Sequence, residues 1–477
     1  MEKLLTQKLV KSWFSKNSEI SLRTINIANK VVNVFYIDCL VNKQLLSQTI
    51  IAPLINLKNI NENQLSNKLF SHETENAYNK HKIVSSILNG AAVVFLENSK
   101  KAISVSIAGY STRSISEPPT SQVTKGPREG FVEDLQTNIS MIRRRLKSPN
   151  LAIESMTIGK ETQTKIAVVY LENIADIKLA KNIKEKLNNV QIDGIIDSYY
   201  VETILEEGKL KFLRRIGNSE KADVIASRLL EGRIAVVVDG SPIVLTLPFL
   251  LVEDLQSPED YYQIAVRTSF VRIIRLIGLI ISVLLPGLYV SLQSYQYKIL
   301  PINFLVTLLS TIQGISLPPL LEILFVLFLF DILQEASARM PKLLGMALSI
   351  IGALVLGEAT IQAGIISPPS IVIVAISSIM LFIIPDDVPQ TSLFRLLFTF
   401  IGGIAGFYGM LMSFVMVSTY ILSADGYGVP ILAPYAPTIK QDKQDAIMKK
   451  SLLKIKKRPK SLLNKNKTRL SSRSQNE

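Results

Sequence analysis

Residues 270–292 read FVRIIRLIGLIISVLLPGLYVSL, and this stretch decides the fold. After Arg275 it carries no charge, and a helix needs about 20 apolar residues to cross a bilayer's hydrocarbon core. Further apolar runs follow at 317–333, 343–366, 371–384 and 393–422. Together they predict a polytopic α-helical membrane domain. Upstream of it the chain has the mixed composition of a soluble module.

The 477 residues exceed one core and suffice for about three units. Charge is unevenly spread. Residues 440–477 hold 13 Lys or Arg against three acids, a net +10 out of +14 for the chain. Such a tail beside a membrane domain predicts a disordered cytoplasmic segment near anionic lipid. It lacks interleaved aromatics, so no nucleic-acid partner is expected. Cys39 is the sole cysteine, which excludes an intrachain disulfide. The opening MEKLLTQKLVKSWFSKNSEI has no sustained apolar core and does not read as a signal peptide.

The soluble part reads as a duplication. VVNVFYIDCL at 31–40 matches KIAVVYLENI at 165–174, and LNGAAVVFLEN at 88–98 matches LEGRIAVVVDG at 230–240, with Gly90 and Gly232 in register. Asp239-Gly240-Ser241 between two apolar runs is a hairpin signal. The expected organisation is an extension over 1–19, an α/β subdomain over 20–112, a linker and amphipathic helix over 113–149, and a second, related α/β subdomain with its connection over 150–262. The membrane domain then occupies 263–425 and the basic tail 426–477.

In the linker, Pro118, Pro119, Gly126 and Pro127 precede a helix predicted over 131–146, which ends on Arg143, Arg144 and Arg145 before Pro149. Gly126, Pro127, Arg128, Glu129, Gly130 and Phe131 form its approach. Free N–H groups at the helix start would receive an anion or carboxylate. The preferred alternative is a strap between the two copies, its arginines paired with nearby acids.

Ionisable groups inside apolar runs are costly and mark function. The candidates are Glu322, Asp331 and Glu335 in the second run, and Glu358 with Gln362 in the third. Asp331 and Glu335 share a helical face, and Glu322 lies about 180° from Asp331 at 100° per residue. Asp331 and Glu335 read as a solvated helix end paired with Arg339, and Glu322 as a group at the outer interface. Glu358 and Gln362 form a polar stripe for a pore, a subunit contact or interhelical hydrogen bonds. A ring of such carboxylates in an oligomer would favour cations.

Arg267, Arg272 and Arg275 place the start of the first span inside, and Arg339 with Lys342 marks the next inside loop. The run at 371–384 is short and bounded by prolines. Four full spans plus one partial element put both termini on the cytoplasmic side; the segment 301–316 lies at the membrane edge. Enzymatic readings find no support. His72 and His81 are the only histidines, and no CxxC, HExxH, nucleophile elbow or Walker loop is present. No cofactor or metal is expected. GIAGFYG at 403–409 reads as close helix packing, and Asp386-Asp387 as a solvated loop end. No inverted repeat favours a secondary transporter.

Several motifs, in order, resemble one family. GPREGF at 126–131 with TNISMIRRRL at 137–146, QIDGIIDSYYVE at 191–202, LLEGRIAVVVDGSPIVLTLP at 229–248, SPEDYY at 257–262, LLPGLYVSL at 284–292, GEATIQAGIISPPSIVIVA at 357–375 and YGVPILAPYAP at 427–437 are similar to the A subunits of spore germinant receptors, the GerA family. The stage V sporulation AF-type branch shares the architecture but more often reads GARDGF, so Pro127 and Glu129 favour the receptor branch. The resemblance implies an inner spore membrane protein with a multi-span B-type subunit and a C-type lipoprotein as partners. It further implies a homo-oligomer, such as a pentamer, forming a nutrient-gated ion channel. A non-conducting scaffold or transducer subunit is the alternative.

Overall fold

Two five-stranded antiparallel sheets occupy the first half of the chain in a computed structural model, which describes residues 4–16, 18–27, 30–57, 69, 74–77, 79–109, 125–206, 212–339, 352, 355–383 and 388–470. The first sheet contains β1 (Ile20–Ile27), β2 (Lys30–Ile37), β3 (Thr74–Ala77), β4 (Ala91–Leu96) and β5 (Ala102–Ser106), in the order β1-β2-β4-β5-β3. The second contains β6 (Leu151–Ile158), β7 (Thr164–Leu171), β8 (Gly217–Ser219), β9 (Ile234–Val238) and β10 (Val244–Leu247), in the order β6-β7-β9-β10-β8. The two orders are the same, strand for strand. The segments matched by sequence, β2 with β7 and β4 with β9, hold equivalent positions.

The continuous apolar strands follow from burial on both faces, because side chains alternate with period two. On β4, Ala92, Val94 and Leu96 enter one core, while Val93 and Phe95 enter the opposite one with Phe35 and Ile87. On β9, Ala235 and Val237 face one layer and Ile234, Val236 and Val238 the other. The described residues among the first 19 join this packing. Helix α1 (Gln7–Lys11) buries Val10 beside Leu5 and Phe14, and Ser18 N donates to Ile153 O of the second sheet at 2.9 Å.

Helix α2 (Lys80–Leu88) covers the first sheet, and α3 (Leu135–Arg145) bridges to the second. Helices α4 (Ile177–Asn188) and α5 (Ser198–Leu205) cover one face of the second sheet, and α6 (Ala222–Leu230) packs with α3 on the other.

The helical region contains α7 (Ala265–Ser294), α8 (Ile302–Ile312), α9 (Pro319–Arg339), α10 (Pro368–Leu381) and α11 (Val388–Ser423). By length and composition, α7 and residues 390–423 of α11 suffice to cross a membrane. Residues 343–351, 353 and 354 of the run at 343–366 lie outside the described residues, as do Pro118, Pro119, His72, Asp386 and Asp387. Helices α7 and α11 approach closely through glycine: a Cβ on Gly287 would stand 2.5 Å from Phe398 O, and one on Gly402 would stand 2.6 Å from Gly287 O. Pro286 cannot donate to the carbonyl of Ser282, one turn back. Ser377 Oγ of α10 donates to that carbonyl instead, at 2.7 Å. A break in α11 at Gly406 (φ +62°) is closed the same way. Tyr295 Oη donates to Gly403 O and Ile404 O at 3.1 and 2.8 Å, and Phe407 N donates to Gln296 Oε1 at 3.3 Å. Apolar surroundings demand such internal satisfaction.

The tail corrects the sequence reading. Residues 426–470 are ordered against the second subdomain rather than disordered. Lys460 N and Ser461 N both donate to the Asp442 carboxylate at 2.8 Å, Lys465 N donates to Ile174 O at 2.8 Å, and Leu462 is buried beside Leu250, Val429 and Ala433. The charge count concealed these few residues: Lys465 N and Leu462 meet partners far upstream, at Ile174 and Leu250, while Asp442 braces the tail internally.

Candidate functional site

Polar groups converge in three places: the strap around α3, the junction where the soluble module meets α7, and the helical region. The strap is built from its own residues. Gly126, at φ +124°, lies against the Tyr262 ring, where a Cβ would stand 2.7 Å away. Lys221 Nζ donates to Pro127 O at 2.7 Å, and Phe131 is buried with Leu135 and Ile139. Glu129 takes Arg144 at 3.1 Å and Arg145 at 2.8 Å. The start of α3 is already capped, Thr137 N by Asp134 at 2.7 Å and Leu135 N by Asp239 at 3.1 Å. Those N–H groups are therefore not available to an anion. Arg143 departs from its two neighbours: it is fully buried near Glu19 and Cys39 and makes no side-chain hydrogen bond among the described residues. Burial lowers its pKa, and burial pushes the Cys39 thiol up to about 12, which disfavours the thiolate.

At the junction, Asp260 takes Arg272 Nε and Arg275 Nη1, both at 2.8 Å. Arg272, fully buried, also reaches Asp445 of the tail at 3.1 Å, and Lys449 Nζ donates to Asp260 O. Burial raises the Asp445 carboxyl against the pull of Arg272. Beside this joint lies a cavity of about 240 Å³ between α6, β8 and residues 251–262. On its wall Glu253 pairs with Arg233 and, at 3.1 Å, with Arg228. Burial alone would raise the Glu253 carboxyl; the two guanidinium groups outweigh it and hold it below the usual range.

In the helical region the structure separates the sequence candidates. Glu335 pairs with Arg339, Nε to Oε1 at 2.6 Å, on an exposed helix end as expected. Asp331 does not join them. It takes Arg395 of α11 at 2.8 Å, and Arg395 also donates to Ser378 Oγ at 3.2 Å. Glu322 is not at an interface with solvent: it is fully buried, and its Oε1 accepts from both Ser367 N and Ser367 Oγ at 2.6 Å. The end of α10 that Ser367 caps supplies the positive dipole that favours this carboxylate. Glu358 and Gln362 hydrogen-bond each other at 3.3 Å and remain exposed, on a π-helical turn (Val355–Ala359) running into Thr360–Gln362. Arg395 was the group that sequence reasoning missed. Its signal was a basic residue inside the apolar run LFRLLF, the same kind of anomaly that marked the acids.

A family model described as Bacillus/Clostridium GerA spore germination protein matches residues 8–461. Spore germination protein KA of Bacillus subtilis (strain 168) is 35% identical over 465 residues, covering 95% of this chain and 85% of that protein. Spore germination protein B1 of the same organism is 30% identical over 438 residues, 89% of each. Among solved structures, the N-terminal domain of the A subunit of the Bacillus megaterium spore germinant receptor GerK3 is 27% identical with a TM-score of 0.38, covering 52% of this chain and 96% of that one.

Proposed function

The chain belongs to the Bacillus/Clostridium GerA spore germination protein family, and from that premise we propose that it is the A subunit of a germinant receptor in the inner spore membrane. On this reading it is a polytopic protein with both termini facing the spore core. It assembles with a multi-span B-type subunit, a C-type lipoprotein and further copies of itself, and the assembly passes ions when nutrient binds. No enzymatic step is assigned to it.

One observation carries the conducting part of this reading. Glu358 and Gln362 present a polar stripe outward from an apolar segment. A carboxylate facing lipid near the bilayer centre costs about 3 kcal/mol. Water in a shared path or a neighbouring subunit relieves that cost, and a ring of such groups selects cations. The other polar groups favour the scaffold alternative, because Asp331, Arg395 and Glu322 are engaged within one chain.

Flux through liposomes holding the purified protein, with and without its B-type partner and nutrient, tests the proposal. Cation flux that rises with partner and nutrient, and falls in Glu358→Ala at equal protein level, supports it. A stable assembly that never conducts moves the chain to the scaffold class.

A further inference from the structure

Among the described residues, Glu322 is the acid of the helical region that the packing neither pairs with a basic side chain nor leaves exposed. Helix α9 carries it inward beside Ile323, Val326 and Leu327, all fully buried. Its Oε1 is satisfied twice by Ser367, but Oε2 is equally buried and accepts no hydrogen bond. Ser367 Oγ lies 3.0 Å from Ser370 Oγ. From α7, Tyr289 brings its hydroxyl to the same cluster, with Ser370, Glu322 and Ser367 as its polar neighbours, yet that hydroxyl makes no hydrogen bond of normal geometry. One turn further along α7, both amide atoms of Gln293 are also buried without partners.

Buried polar atoms are nearly always satisfied, and a cluster of unsatisfied ones calls for a missing partner. Protonation is the competing account: a proton on Oε2 would donate to one of those hydroxyl oxygens, and it predicts stabilisation that follows pH rather than the identity of the salt. A cation held by Oε2 and the same hydroxyl oxygens supplies the partner without a proton. Ser367 gives its proton to Glu322 and keeps its lone pairs for such an ion. The donor set is all oxygen, which suits a hard alkali ion rather than a transition metal. The described residues contain no group of three His, Cys, Asp or Glu side chains of the kind a higher-charged metal would use. Charge decides the valence. One carboxylate neutralises one monovalent ion, whereas a divalent ion would leave an uncompensated positive charge in an apolar core.

We propose that Glu322, Tyr289, Ser367 and Ser370 form a binding site for a single monovalent alkali cation, enclosed within one chain. The site is distinct from the outward-facing Glu358 stripe and requires no conduction.

The test is thermal melting of the purified full chain in detergent. Sodium or potassium chloride replaces N-methylglucamine chloride at constant ionic strength and pH. Expected is a saturable, one-site rise in melting temperature with one of the two ions. Glu322→Gln abolishes the rise, and Tyr289→Phe weakens the apparent affinity roughly 10-fold, as loss of a supporting oxygen does at metal sites. No ion-specific rise in the parent, or a rise retained in Glu322→Gln, overturns the site. So does stabilisation that follows pH alone and is equal in all three salts. Should Glu322→Gln fail to fold, equilibrium dialysis with radioactive sodium or rubidium on Tyr289→Phe and Ser370→Ala decides: unchanged affinity in both overturns the site. Flux plays no part in these readouts, so the channel reading and the site fail separately.

Discussion

Asp331 and Arg395 meet at 2.8 Å between α9 and α11, with the guanidinium 1% exposed and the carboxylate 33% exposed. The pair is asymmetric: solvent reaches the acid but not the base. Removing the acid strands a buried positive charge, which costs about 3–5 kcal/mol. Asp331→Asn is therefore expected to lower the melting temperature of the purified protein markedly. Replacing both by apolar residues, Asp331→Leu with Arg395→Met, should restore most of it. An Asp331→Asn protein as stable as its parent would show that Arg395 is satisfied by other groups.

Tyr295→Phe should loosen the break in α11. The lost hydroxyl leaves Gly403 O and Ile404 O without that donor, a penalty of about 1–3 kcal/mol where the carbonyls face an apolar environment. Hydrogen exchange confined to the amides around Gly406 would report it. Gly406→Ala should be worse, since the added Cβ meets a left-handed backbone and the Tyr295 ring at 3.1 Å.

The tail is expected to release when its ionic anchor is cut. Asp445→Asn leaves Arg272 with Asp260 but weakens its hold on residues 442–449, by about 1–2 kcal/mol. Limited proteolysis checks this: cleavage should accelerate between residues 440 and 470 while the two sheets stay resistant. Uniform resistance across the chain would mean that Asp442 and Leu462 suffice to hold the tail.

Glu202, on α5, sets a pH dependence. Burial, then the neighbouring Glu206, raises its carboxyl from 4.5 to about 7. A carboxyl raised in the folded state stabilises the fold while it is protonated. That contribution is complete below about pH 4.5 and is lost as pH climbs through about 7. The soluble module should therefore lose stability across this window, and Glu202→Gln should flatten the profile. Identical slopes in parent and variant would remove Glu202 as the cause.

What could be read in the sequence was whatever local pattern encodes. The Asp239-Gly240 hairpin, the paired β-rich runs and the Glu335–Arg339 turn need only neighbours within a few residues. The partners of Asp331, Arg272 and Lys449 stand 64, 173 and 189 positions away, respectively. No periodicity reports such pairings. The tail illustrates the limit most clearly: its charges outnumber the few residues, Asp442, Asp445 and Leu462, that give it a place. Glu322 looked like a surface group because it lies near the start of its helix. Its place near the start of the helix was legible, but the packing of α7 and α10 over that end was not.

Arg272 binding both Asp260 and Asp445 ties the departure of the chain from the soluble module to its return. The helical region is thus a round trip, anchored at one point. Because one guanidinium holds both ends, a change at Arg272 acts on the exit and the return of the chain together.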